Sequence, residues 1–248
     1  MIRFLLLAVL AISCPSLGAQ DPPKGEELPP VPKADPKSEL VALQPDKSLY
    51  LEKKPDGTRR VLVTAEVCLR EGPLEVFVTK RGTKEHESIL RISLDARFIH
   101  AALEAAEAKV GKPVQFVNPK TMEDDYKPAS GETIKTSVHY TMSGKAHTHA
   151  AQEWITNTKT KKAMTDEWVF AGSRFVGNPD RPSDPAFYCA NNGVVIGLSN
   201  DWDAMLDLPV QVSKDDAFLI YRANTEKIPQ ITSKVWLILE KDVEKKKK

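Results

Sequence analysis

The chain has 248 residues, 41% of them hydrophobic, which is enough apolar content for a core of domain size. Lys plus Arg number 35 against 34 Asp plus Glu, a net charge of +1, and that balance argues against a dedicated nucleic-acid partner, which ordinarily meets a basic footprint. No glycine-rich phosphate loop, dinucleotide fingerprint, GxSxG elbow or HExxH motif is present, so the common signatures of nucleotide chemistry and hydrolysis are excluded.

Residues 1–20, MIRFLLLAVLAISCPSLGAQ, read as an export signal: Arg3 gives the positive start, Phe4 to Ser13 an apolar run, and Ser16-Leu17-Gly18 the small residues of a cleavage site. The run is too short to cross a bilayer, which takes roughly 20 apolar residues, and no transmembrane segment is expected once it is removed. The expected location is therefore periplasmic or extracellular. Ala11-Ile12-Ser13-Cys14 also resembles a bacterial lipobox, which leaves soluble export or lipid anchoring at Cys14 as alternatives.

From 21 to 47 the chain carries Pro at 22, 23, 29, 30, 32, 36 and 45 among Lys, Glu and Asp, the composition of a semi-rigid tether. The folded domain is expected over 48–241. Its first strands are Val61 to Leu69 and Leu74 to Val78, separated by Glu71-Gly72-Pro73; with Ile89 to Leu94 they suggest a meander. A helix over 95–109 follows, capped by Asp95, with Phe98, Ile99, Ala102, Leu103 and Ala106 on one face and Gly111 and Pro113 as its stop. Val114 to Val117 is a short strand. Ile134, Thr136, Val138, Tyr140 and Met142 alternate with polar residues, and Thr148 to Ile155 pairs back across Ser143-Gly144-Lys145. Trp168 to Phe170, Val194 to Leu198, Phe218 to Tyr221 and Val235 to Leu239 add further strands, before a charged, disordered tail over 242–248. The expected class is α+β: β-rich, mainly antiparallel, with one principal helix.

Several side chains invite a chemical reading. Glu85-His86-Glu87 sets an imidazole between two carboxylates, a pattern for a charged histidine or, with Glu87, a divalent metal. His147 and His149 fall on one strand face about 7 Å apart, a spacing that suits a metal with His86 or His139 as third ligand. His100, Glu104 and Glu107 share one helix face. Cys68 and Cys189, each in an apolar setting, form either one long-range disulfide or two buried thiols, and without a CxxC no dithiol centre is expected. Trp168, Phe170, Phe175 and Tyr188 serve either a core or a sugar- or peptide-binding groove. Ser173, Ser199, Asp124-Asp125 and Asp215-Asp216 lack the surroundings of catalytic groups.

Glu66-Val-Cys-Leu-Arg-Glu-Gly-Pro-Leu-Glu75, Gly82-Thr-Lys-Glu-His-Glu-Ser-Ile-Leu90, Ile99-His-Ala-Ala-Leu103 and Gly111-Lys-Pro-Val114 resemble the YdjY-domain proteins, a family of exported bacterial domains. Ala151-Gln-Glu-Trp-Ile155, Trp168-Val-Phe-Ala-Gly-Ser173, Leu198-Ser-Asn200 and Leu206-Asp-Leu-Pro209 extend the resemblance over roughly residues 60–240, and His86-Glu87-Ser88 with the His100 helix is its most specific part. The resemblance implies a domain and no reaction. Some relatives carry a cysteine-rich segment where this chain has Tyr188 to Ser199; only Cys189 stands here, so no iron–sulfur cluster is implied. The combined expectation is a monomeric, non-enzymatic binding or structural module of the cell envelope. It has no cofactor and meets an unknown envelope protein or small ligand through His86, Glu87, Ser88 and His100. The alternative is a divalent transition-metal site built from His86 and Glu87 with His100, His147 or His149.

Overall fold

The computed structural model describes residues 25–116, 126–212 and 219–243. The export signal with Cys14, the pairs Asp124-Asp125 and Asp215-Asp216, and Lys245 to Lys248 lie outside the described residues. In chain order the elements are β1 (Glu39–Ala42), β2 (Leu49–Lys53), β3 (Arg59–Val67), β4 (Val76–Lys80), β5 (Ser88–Ile92), α1 (Ala96–Ala105), β6 (Gln115–Phe116), β7 (Tyr126–Lys127), β8 (Thr133–Met142), β9 (Lys145–Ala150), β10 (Ile155–Asn157), β11 (Trp168–Phe170), β12 (Phe175–Val176), β13 (Phe187–Tyr188), β14 (Ile196–Gly197), β15 (Leu206–Asp207), β16 (Tyr221–Ala223) and β17 (Lys234–Lys241).

Eight strands run side by side in the order β3-β17-β8-β11-β15-β14-β4-β5, and β5 then pairs with β3 through Glu66↔Arg91 and Val67↔Leu90. That last pairing closes the sheet into a barrel. The fold is therefore mainly β, with 38% of the described residues in strands and 10% in helices, and the α+β expectation is corrected. Strand periodicity says which residues alternate but not whether the first and last strands meet, so closure left no mark in the sequence. The expected meander is corrected too: β4 and β5 run parallel, joined by a crossover through residues 81–87.

Alternation fills the interior. Val61, Val63, Ala65 and Val67 of β3 and Val235, Leu237 and Leu239 of β17 point into one core with Ile134, Val138, Trp168 and Phe170. The Trp168 indole donates to the Gly197 carbonyl at 2.7 Å and stacks on Phe77. The Ser143-Gly144 turn has positive φ at both residues (53° and 73°), the hairpin geometry that the strand twist favours, and it pairs β8 with β9.

The outer face of β3 and β17 is apolar as well, at Leu62, Trp236 and Ile238. Leu28, Val31 and Leu40 cover it, Trp236 Nε1 donates to the Pro29 carbonyl at 2.9 Å, and β1 pairs with β2. The described part of 21–47 is thus a strap docked on the barrel, which corrects the tether: three apolar residues among the prolines suffice to bind a matching strip.

α1 starts where expected, with the Asp95 carboxylate accepting from Arg97 N–H at 2.9 Å. It ends at Ala105, short of 109, because Glu107 takes the left-handed conformation (φ 65°) that closes a helix. Ile99, Ala102 and Leu103 are buried, while Phe98 is 47% exposed and leaves the expected apolar face.

Candidate functional site

The crossover between β4 and β5 carries Glu85-His86-Glu87. Seven residues must bring the chain back to the start of a parallel neighbour, and their side chains clasp the turn. Glu85 accepts from Gly82 N–H (2.7 Å) and from Arg91 (2.5 Å); Lys84 reaches Glu87 (2.7 Å) and Glu75 (3.2 Å); the Ser88 hydroxyl donates to the Lys84 carbonyl (2.7 Å). Glu87 and Ser88 are therefore spent on the backbone course. His86 alone projects, 79% exposed, with Nε2 3.8 Å from Glu87.

Beside this crossover lies an open groove of about 660 Å³. It forms because β3 shares one edge between two neighbours: β2 pairs along 59–63 and β5 only at 66–67. Thr64, Ala65 and Glu66 line the seam between them, with Tyr50 and Trp236 edge to face (5.8 Å) on one side and Arg81 and Arg91 on the other. The acids of the groove are occupied. Glu66 accepts from Arg81 (2.9 Å) and Arg91, and against the cost of burial these guanidiniums hold its carboxyl below the ordinary range. Asp95 caps α1 and pairs with Arg97, and Asp46 closes a turn onto Ser48. Lys47 and Lys234, also in the lining, make no ion pair among the described residues. The groove lining thus carries four cationic side chains (Lys47, Arg81, Arg91 and Lys234) against three carboxylates (Asp46, Glu66 and Asp95), next to an aromatic side chain.

The model of the YdjY domain matches residues 56–240. The chain belongs to the YdjY domain family. Neither a curated protein nor a solved structure matches it. The match spans the whole closed barrel, from β3 to β17, whereas the strap, β1 and β2 precede it. One wall of the groove, formed by Leu28, Asp46, Lys47, Ser48 and Tyr50, therefore lies outside the matched residues.

The remaining sequence-selected residues scatter around the YdjY barrel. His100 is enclosed: Nδ1 lies 2.8 Å from the Tyr188 hydroxyl, and the ring meets Phe170 edge-on. Burial lowers its pKa, and Glu104, 3.8 Å away, opposes that shift. His147 and His149 are neighbours on β9, and His139 bonds Thr148 (2.7 Å). Among the described residues no three of His86, Glu87, His100, His147 and His149 form a group able to hold a metal. Cys68 and Cys189 are both free, which removes the disulfide; burial pushes the Cys68 thiol up to about 12, and its Sγ contacts the Ser88 carbonyl (3.1 Å). Trp168, Phe170 and Tyr188 are core, and Phe175 is 57% exposed on the β12–β13 hairpin. Ser173 and Ser199 bond the carbonyls of Asp203 and Glu75.

Sequence reasoning missed Tyr50, Lys47 and Lys234, which come together from segments nearly 190 residues apart and share no local pattern. It also missed Asp207, whose fully buried carboxylate accepts N–H groups of Leu208 (2.7 Å) and Asp201 (3.1 Å). The Leu206-Asp-Leu-Pro209 resemblance was the available signal for it.

Proposed function

We propose that the protein is an exported, non-catalytic binding module of the cell envelope, and that its ligand is an anionic molecule seated in the groove between strap and crossover. The observation that carries this reading is the charge arrangement: the lining holds four cations against three carboxylates, Glu66 and Asp95 are ion-paired, and Lys47 and Lys234 make no ion pair among the described residues. Arg81 spends Nε on Ser93 and one terminal nitrogen on Glu66, so donors remain for a carboxylate or phosphate. Tyr50 adds a ring face for the body of the ligand. Export rests on the 1–20 signal.

Two experiments test it. Residues 1–24 fused to a reporter active only outside the cytoplasm should give activity, and Cys14→Ser should leave it unchanged if export is soluble. Calorimetric titration with a polyuronate oligosaccharide, a short polyphosphate and a neutral glucan should show binding of an anionic probe only, weakened by salt. Lys47→Ala with Lys234→Ala should lower that affinity about tenfold, the scale of two lost charge contacts. Equal binding of the neutral glucan would sink the anionic reading.

A further inference from the structure

On β9, which pairs with β8 two strands along the barrel from β3, His147 and His149 stand two residues apart. Register places Tyr140 directly across from His147, and Val138 across from His149, so both imidazoles share one face over the buried Tyr140. The two rings are 6.0 Å apart and tilted by 25°, and they lie 5.6 and 6.1 Å from the Tyr140 ring. The intervening Thr148 points the other way, to His139.

The hydrogen bonding of His149 gives this pair a direction. Its Nδ1 is 3.0 Å from Glu153 Oε2. A carboxylate only accepts, so Nδ1 carries a proton, and in the neutral imidazole the free electron pair is on Nε2. An imidazole oriented through one nitrogen by a carboxylate, with the other nitrogen exposed, is the arrangement that ordinarily stands behind a metal ligand. The His147 imidazole makes no hydrogen bond among the described residues and packs against the rings of Tyr140 and His149. Its ring is therefore able to turn and bring a nitrogen toward Nε2 of His149, the convergence a metal at about 2.0–2.1 Å from each nitrogen requires.

We infer that His147 and His149 form a two-imidazole site for a borderline divalent transition-metal cation, with Glu153 as a positioning residue. Two protein ligands leave the other coordination positions to water or to a ligand brought by the cation. The site is therefore exchangeable and contributes nothing needed for folding. Imidazole donors and the order of divalent affinities place Cu²⁺ above Ni²⁺ and Zn²⁺. This site is separate from the anion-binding groove, and neither depends on the other. His86, which the sequence suggested as a third ligand, takes no part.

The test is titration of the chelator-stripped full chain with CuCl₂ and ZnCl₂, followed by calorimetry and by electron paramagnetic resonance of the copper form. One equivalent of Cu²⁺ should bind, more tightly than Zn²⁺, with a spectrum showing two nitrogen ligands. His147→Ala and His149→Ala should each weaken Cu²⁺ at least tenfold, Glu153→Gln should weaken it severalfold, and His86→Ala should change nothing. Both histidines are only half-buried, and circular dichroism of each variant checks the fold. Absence of binding, an unchanged affinity in the His147→Ala, His149→Ala double variant, or a single-nitrogen spectrum would each overturn the inference.

Discussion

His100 Nδ1 lies 2.8 Å from the hydroxyl of Tyr188, a residue 88 positions further along the chain, and that hydroxyl also reaches the Gly172 carbonyl at 3.1 Å. The three groups tie α1 to the β11 and β13 regions inside an aromatic pocket of Phe170, Phe175 and Tyr188. Tyr188→Phe keeps the ring and removes the hydroxyl that bridges the His100 ring and the Gly172 carbonyl. It should cost about 1–3 kcal/mol, the usual penalty for leaving a buried polar group unpaired, read as a lower urea midpoint with unchanged slope.

The same pocket sets a pH dependence. Burial depresses the folded-state pKa of His100 below its ordinary 6.5, so the unfolded chain binds the proton more readily. His100 therefore contributes stability that is present above pH 6.5 and is lost as pH falls through its lower folded value. The parent's difference in urea midpoint from His100→Gln should be constant above neutrality and should shift against the parent as pH falls below 6.5, because Asp207 titrates alike in both chains and cancels.

Asp207 works with the opposite sign. Burial raises its carboxyl to about 8, and the Leu208 and Asp201 N–H groups pull it back only in part. A folded value above the unfolded one means stability fully present below about pH 4 and lost as pH rises through 8. Asp207→Asn keeps the shape but turns an amide donor toward one of the two N–H groups, at a cost of about 1–3 kcal/mol. The variant should melt lower than the parent at pH 5, and the gap should narrow by pH 9.

These pairs show what the sequence carried. The alternation from Ile134 to Met142, the Asp95 cap and the Ser143-Gly144 turn are local, since each follows from the chemistry of adjacent residues. The barrel-closing Glu66↔Arg91 pair, the strap on Trp236 and the groove of Tyr50 with Lys234 are long-range, and nothing in the intervening chain encodes them. The Glu85-His86-Glu87 pattern is instructive because its specificity was visible and its meaning was not. The acids are fixed by a crossover whose existence depends on β4 and β5 being parallel. His147 and His149 were legible as a pair, but Glu153 acquires its role only through the short helical turn after β9.

The cysteines give a sharp expectation. A thiol at about 12 is thiolate in only about one molecule in 10⁵ at pH 7, and Cys189 is buried with its thiol raised by that burial. Neither should react with a disulfide reagent in the native protein within minutes, both should titrate in denaturant, and reductant should leave the melting temperature unchanged.

The strap is anchored by a buried charge as well as by apolar contact. Glu52, fully buried on β2, accepts from the Ala34 N–H (2.7 Å) and from Arg60, and Arg60 in turn donates to the Pro32 carbonyl. Removing one partner of a buried pair leaves the other charge unmatched, which typically costs 3–5 kcal/mol. Arg60 is 11% exposed, so part of that penalty is relieved by water and Glu52→Ala should fall toward the lower end. Glu52→Gln keeps an acceptor for Ala34 and should cost less. Deleting residues 25–36 removes Leu28, Val31 and the Pro29 acceptor of Trp236 together, baring the strip of Leu62, Trp236 and Ile238. That truncation should bind a hydrophobic dye, shift Trp fluorescence to longer wavelength and lose the groove wall at Leu28. It should still melt cooperatively, because the eight barrel strands and their interior remain complete without the strap. A truncated chain with no cooperative transition would show instead that the strap is part of the folding unit.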